Sequence, residues 1–283
     1  MAEKIEKLDI QLLALDIDGT LLNADKQFPE INCRALQACE KRGIKIALIS
    51  GRSFEQMREF AHELGIHPIM CACNGARIEA GENGPCLGEY VFTRAQAEHI
   101  CRIIEESGMY FNVYRHGKCY QGNPHVREGL GPRYVHHIPG ICGDPGFEYE
   151  TVCNRSRLWG EGMEGVYKFV VMGGVYDPGF DLLREKLSDM NLSVSSASKR
   201  NVEFMPTGID KGFAVRMLCR HFGINAAQVM AFGDQTNDIS MLQAAGWPVA
   251  MENGEESVKQ VARLIAPHHN LGGVGLVLEK YVL

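Results

Sequence analysis

Several short apolar runs in this chain stop abruptly at polar residues. Ile10–Leu15 runs into Asp16, Ile44–Ile49 into Ser50, and Val229–Phe232 into Gly233 and Asp234. Runs of this kind fit strands buried on both faces rather than half-exposed ones. Helical patterns lie between them. Pro29–Arg42 carries Ile31, Ala35, Ala38 and Cys39 on one face and stops at Gly43. The next pattern opens on a Ser53/Gln56 capping box, carries Met57, Phe60, Ala61 and Leu64, and stops at Gly65. Ile69–Cys73 reads as a third strand. Strand–helix–strand–helix–strand in this order requires right-handed crossovers, hence a parallel sheet. Such a sheet gathers its ligand site outside the carboxyl ends of its strands, so the polar residues at the run ends carry the first interest.

The alternation breaks at the Gly81–Pro85 turn, with a hairpin expected to return through Cys86–Phe92. Thr93–Gly108 is an amphipathic helix with a Thr93/Gln96 capping box. Tyr110–Tyr114, Val166–Met172 and Leu192–Ser195 read as strands, and Asp177–Met190 as a helix with Pro178 in its first turn. Residues 122–160, rich in Gly, Pro and His, give no periodic pattern. Alternation resumes near Asn201. Val202–Met205 reads as a strand and Lys211–His221 as a helix stopped by Gly223. Helical patterns at Asp238–Ala245 and Glu255–Ile265 flank a short strand, Val249–Met251. The expectation is an α/β core split into residues 1–91 and 198–283, with an α+β domain, 92–197, inserted between.

With 283 residues, 45% of them apolar, the chain can bury the cores of two moderate domains. A formal net charge of −6 disfavours nonspecific nucleic-acid binding, and no nucleic-acid partner is expected. No apolar run approaches the ~18 residues of a membrane span. Ten cysteines without a Cys-x-x-Cys pair read as small buried residues of a cytoplasmic protein.

Asp16-Ile17-Asp18-Gly19-Thr20 follows the first run. Alone, two aspartates two apart read as a solvated turn. At a buried strand end, one carboxylate can attack phosphorus and a second carboxyl can move the proton of a leaving oxygen. That task needs Asp18 neutral on demand. Ser50-Gly51-Arg52-Ser53 joins a strand to a helix, where a hydroxyl and backbone N–H groups can bind phosphate oxygens; Ser53 reads as the helix cap and Ser50 as the phosphate candidate. Asp234 is a hard oxygen donor suited to Mg²⁺. Asn237 can reach a phosphate, and Asp238 can orient Lys211 or a metal-bound water. Lys211 by itself is an ordinary lysine. His136 and His137, with His116 and His125 nearby, show no metal-ligand spacing. They read as surface or substrate-facing groups, with Arg133, and Trp159 and Trp247 read as packing.

Taken together, LALDIDGTLL (13–22), ALISGR (47–52), CNGA (73–76), EFMPTGIDKG (203–212), FGDQTNDISMLQAAG (232–246) and VAMENG (249–254) resemble the haloacid dehalogenase superfamily, specifically its Cof-type phosphatases with a type IIB cap. The resemblance implies a Rossmann-like parallel-sheet core with an inserted α+β cap. It implies Mg²⁺-dependent hydrolysis of small phosphate monoesters, sugar phosphates or a phosphorylated cofactor, through an aspartyl-phosphate. Residue by residue, it implies that Asp16 is nucleophile and metal ligand. Asp18 is general acid/base, with its carbonyl on the metal. Ser50, Gly51, Lys211 and Asn237 bind phosphate, and Asp234 is a metal ligand with Asp238 in support. A small phosphorylated metabolite is the partner implied. A phosphotransferase of the phosphomannomutase type and a non-catalytic phosphate sensor are the alternatives. The family often carries an acidic Asn-x-Glu-Asp-Gly-Val segment near the C-terminus. Here Asn270–Val274, within the 266–275 loop, is shorter and uncharged.

Overall fold

The computed structural model describes residues 7–115, 117–122, 149–152 and 165–283. His116, His125, Arg133, His136, His137 and Trp159 lie outside them. The chain forms two compact units, one of Met1–Arg52, Met57–Glu89 and Ile209–Leu283, the other of Ser53–Gln56 and Tyr90–Gly208.

The first unit is built on a sheet of eight strands among the described residues. In chain order they are β1 (Leu12–Leu15), β2 (Lys45–Ile49), β3 (Ile69–Ala72), β4 (Arg77–Glu79), β5 (Cys86–Glu89), β12 (Val229–Gly233), β13 (Trp247–Met251) and β14 (Leu264–Ala266). They lie side by side as β14-β13-β12-β1-β2-β3-β4-β5. The six from β14 to β3 are parallel; β4 and β5 form an antiparallel hairpin edge. All four residues of β1 are fully buried, as an unbroken apolar run in a central strand requires. One face packs against α5 (Lys211–Phe222) and α6 (Ile239–Ala244): Leu12, Ala14, Ala47 and Ala231 meet Ala214, Val215, Leu218, Met241 and Leu242. Helix α1 (Glu30–Lys41) and the C-terminal α8 (Gly273–Tyr281) pair with each other. The sheet order reverses at β1: β2 and β3 follow on one side, β12, β13 and β14 on the other. Asp16 and Asp234 end the two strands that flank this reversal, where an open α/β sheet forms its crevice.

The second unit is an α+β fold. Its six-stranded sheet has the order β10-β11-β9-β6-β7-β8, with β6 at Tyr110–Arg115, β7 at Lys118–Gly122, β8 at Tyr149–Val152, β9 at Val166–Met172, β10 at Ser193–Ser195 and β11 at Asn201–Met205. Phe111, Val113, Phe169, Val171, Val202 and Phe204 pack with Ala97, Ile100 and Ile104 of α3 (Arg94–Ser107) and Phe180 and Leu183 of α4 (Gly179–Lys186). Both expected capping boxes form: Ser53 with Gln56 ahead of α2 (Phe54–Leu64), and Thr93 with Gln96 ahead of α3.

Two expectations need correction. Residues 201–205 pair antiparallel with β9 and β10, so this strand belongs to the second unit. The first unit resumes at Ile209 rather than 198. The helix expected over Glu255–Ile265 is one short turn, α7 (Glu256–Lys259), followed by β14. Val258, Val261, Ala262 and Ile265 have helical spacing, yet Leu264–Ala266 takes up parallel pairing with β13. Ladder hydrogen bonds outweigh a local periodicity that either state can use. Residues 122–160, which gave no pattern, contribute β8 and the end of β7.

Candidate active site

Asp16, one residue past β1, is 6% exposed. Its N–H donates to the Phe232 carbonyl at 3.1 Å, continuing the ladder to β12. Lys211 opens α5 and is 1% exposed. Its Nζ donates to Asp16 Oδ1 at 2.6 Å and to Asp238 Oδ1 at 2.6 Å. The helix start is set by Asp210, whose carboxylate caps the Phe213 N–H at 2.6 Å. Asp238 is fully buried, and its second oxygen accepts from the Asp234 and Gln235 N–H groups at 2.9 and 3.0 Å. Both Asp238 oxygens are therefore engaged, and its job is to hold Lys211 and the Asp234 turn. Asp234 receives the Thr20 hydroxyl on Oδ1 at 2.8 Å. Gly19 sits against that carboxylate with φ +78°; a Cβ there would collide with it, so the turn needs glycine.

Carboxylate oxygens of Asp16, Asp234 and Asp238 lie within 4.8 Å of one another. Burial raises the Asp16 pKa well above the ordinary carboxylate range, and the Asp238 charge adds to this; Lys211 opposes it. Asp234 is pushed up to about 7, by burial first and then by Asp238, with the Thr20 hydroxyl and Lys211 opposing. Crowded, buried carboxylates of this kind are what a dication offsets. The donor set is all hard oxygen, and with Asp238 engaged, one oxygen each of Asp16 and Asp234 has no hydrogen-bond donor among the described residues. One or two carboxylates completed by waters is a set that suits magnesium.

Asp18 departs from expectation. Its carboxylate takes a two-pronged bond from Arg52, Nε to Oδ2 at 2.7 Å and Nη2 to Oδ1 at 2.9 Å, and a third from Lys26 Nζ at 3.0 Å. Burial would raise its pKa, but Arg52 and then Lys26 outweigh burial and bring it down to about 2. In this arrangement Asp18 is ionised at neutral pH and holds no proton to give. The Arg52 guanidinium is itself steadied 5.1 Å over the Phe60 ring, which meets Phe28 edge-on. Because the folded-state pKa is depressed, the pair's stabilisation is present above the ordinary value of 3.8 and is lost as pH falls toward about 2. Arg52→Met is expected to abolish that acid-limb loss, which urea unfolding between pH 7 and pH 2 would reveal as a flatter profile than wild type.

Ser50, one residue past β2, is 3% exposed; its hydroxyl accepts the Arg52 N–H at 3.2 Å, and its carbonyl accepts the Asn74 N–H at 2.8 Å. Gly51 follows it, half-buried. Asn237 lies in the turn after Asp234, with Oδ1 buried and without a hydrogen-bond partner among the described residues. The structure thus joins Asp16, Lys211, Asp234 and Asp238 directly, while Ser50 and Gly51 follow β2 and Asn237 lies in the turn after β12, none of them bonded to that cluster. Sequence reasoning left Arg52, Lys26 and Thr20 without roles. Arg52 lies within the Ser50-Gly51-Arg52-Ser53 motif, but the partner that gives it meaning lies 34 residues away.

Residues 13–278 match the family model of the haloacid dehalogenase-like hydrolases. The 5-amino-6-(5-phospho-D-ribitylamino)uracil phosphatase YcsE of Bacillus subtilis is 26% identical over 289 residues, covering 100% of each chain. A haloacid dehalogenase-like hydrolase structure from B. subtilis superposes with a TM-score of 0.83 at 22% identity, covering 95% of this chain and 99% of that one. The subclass IIB sugar phosphatase BT4131 gives 0.76 at 21% identity, covering 95% and 98%. Among the described residues, no helix is long and apolar enough to cross a membrane.

Proposed function

The chain belongs to the haloacid dehalogenase-like hydrolases, and from this premise we propose that it hydrolyses small phosphate monoesters, with Asp16 as the nucleophile. The observation that carries the reading is the buried Asp16–Lys211–Asp238 chain beside Asp234. An Asp16 oxygen attacks phosphorus, the bond from phosphorus to the ester oxygen breaks, and the alcohol leaves with a proton. Water then attacks the phosphorus of the aspartyl-phosphate, releasing inorganic phosphate and restoring the Asp16 carboxylate. Lys211 opposes the charge growing on the transferred group, while Asp238 keeps the ammonium aimed. Ser50, Gly51 and Asn237 are the proposed phosphate-binding groups. Asp18 is the proposed proton carrier to the leaving oxygen and from the water. That role requires its carboxylate to release Arg52 and Lys26 first. Asp16 and Asp234, with the Asp18 carbonyl, would hold Mg²⁺, which when bound supplies positive charge to the phosphoryl oxygens.

The ribityl phosphate in the name of the B. subtilis relative is a sugar-alcohol monoester, and sugar-type monoesters are the class we assign here. Cys33, Cys39, Cys71, Cys86 and Cys219 form no disulfide, in keeping with a reducing compartment such as the cytoplasm.

The test is release of phosphate from an aryl phosphate with MgCl₂ or with EDTA. Turnover is expected only with Mg²⁺; equal rates in both would overturn the metal assignment, and no turnover in either would overturn the hydrolase reading. Stability supplies a parallel check. The raised Asp234 pKa means that the folded state holds its proton more tightly than the unfolded chain does. Metal-free stability therefore falls as pH rises from 3.8 through about 7. Mg²⁺ is expected to raise Tm more at pH 8 than at pH 5.5, where protons compete for the same oxygens.

A further inference from the structure

The uncharged loop at 266–272 does not stand apart from the active site; it is bonded to the turn that carries Asp16. After β1 the chain folds back so that the Thr20, Leu21 and Leu22 N–H groups all reach the Ile17 carbonyl. The outward carbonyls of that turn need partners from elsewhere. Asn253 Nδ2 donates to the Gly19 carbonyl at 2.8 Å, and Asn253 Oδ1 accepts the His269 N–H at 3.0 Å. His269 Nδ1 lies 2.6 Å from the Leu22 carbonyl. A carbonyl oxygen only accepts, so this nitrogen carries the proton. Asn270 Oδ1 accepts the Ala24 N–H at 2.8 Å.

The same segment holds Asp234. The Glu255 N–H donates to the Asp234 carbonyl at 2.9 Å, and Gly254 lies so close to the Asp234 backbone that a Cβ there would crowd its Cα. Gly19 in turn abuts the Asp234 carboxylate. One short stretch, 253–255, therefore touches both carboxylate-bearing turns, and the Asn253 amide is the side chain that ties them together.

We propose that Asn253, braced by His269, is a positioning residue that sets the spacing between the Asp16 and Asp234 turns. This rests on the phosphohydrolase reading above. The amide makes two bonds in opposite senses, donor to Gly19 and acceptor from His269, so no other side chain of its length can replace both. The loop that lacks the family's acidic residues serves through hydrogen bonds to the backbone, to the Leu22 carbonyl and from the Ala24 N–H, instead of through charge.

Asn253→Asp keeps the acceptor for His269 and loses the donor to Gly19. Its kcat for an aryl phosphate is expected to fall roughly 10- to 100-fold with KM within about twofold, as misplaced reacting groups dictate. Titration calorimetry of the unreacted protein with MgCl₂ is expected to show about 10-fold weaker binding. Because the added charge could itself alter metal binding, Asn253→Ser provides the neutral counterpart and should weaken it likewise. His269→Gln, whose amide can still donate to Leu22, should retain more activity and Mg²⁺ affinity than His269→Ala. Circular dichroism and Tm without Mg²⁺ establish that each variant is folded. Folded Asn253 variants with wild-type kcat and Mg²⁺ affinity would overturn the proposal. So would variants whose loss is confined to Tm. A wild-type protein that neither binds Mg²⁺ nor turns over substrate defeats the functional reading itself, a result distinct from an active wild type with unaffected variants.

Discussion

Asp16→Asn is expected to give a folded protein whose turnover of phosphate monoesters is reduced at least about 10⁴-fold, the scale on which loss of a covalent nucleophile is felt. The asparagine has nearly the same shape, and its carbonyl oxygen can still accept from Lys211 Nζ, now 2.6 Å from Asp16 Oδ1. What disappears is the anionic lone pair of the proposed nucleophile. Folding should not suffer. Burial, and then Asp238, push the Asp16 pKa up, so its ionised form is disfavoured in the folded state, and wild-type stability falls as pH rises above the ordinary value of 3.8. The variant lacks that fall, and its Tm at pH 8 should match or exceed that of the metal-free wild type. Steady-state rates with an aryl phosphate and a thermal melt decide the matter. Retained turnover by a folded Asp16→Asn protein would remove Asp16 from the role.

Lys211→Met carries the larger structural consequence. The ammonium is 1% exposed and bonded to two buried carboxylates. Burial by itself lowers a lysine pKa; here Asp16 and then Asp238 more than reverse it and hold the group charged far above its usual range. The pair's stabilisation is therefore present throughout the neutral range and would be lost only well into alkali. Methionine fills the space but leaves two carboxylates facing each other without a cation, a defect of about 3–5 kcal/mol for a broken buried pair. Protonation of Asp16, whose pKa burial already raises, relieves the defect, so the deficit should be greatest above pH 7 and smaller near pH 5. Activity should fall at least about 100-fold from the loss of positive charge at the phosphoryl group. Urea unfolding across pH 5–9 reads the first effect and phosphate release the second. A pH-independent deficit would show that the loss is one of packing alone.

The elements that could be read in the chain are those whose pattern is complete within a few residues. β1, β2 and β12 announce themselves as apolar runs closed by Asp16, Ser50 and Gly233, and the two capping boxes are each encoded in four residues. β11 was legible as a strand but not as a member of one sheet or the other, because an apolar run does not name its neighbour. Leu264–Ala266 is ambiguous for a related reason: its periodicity is shared by two states, and pairing with β13 chooses between them.

The site divides along the same line. The order of residues alone shows that apolar runs end in Asp16 and Asp234, and that a lysine opens a helix at 211. Only tertiary contacts place Lys211 between Asp16 and Asp238, hold Asp18 against Arg52 and Lys26, and bond Asn253 and His269 to the turn that follows β1. These partners are separated by between 8 and 247 positions in the chain. Spacing within a helix or strand is a property of neighbours, whereas a hydrogen bond between remote side chains exists only once sheet order and register have brought their backbones together.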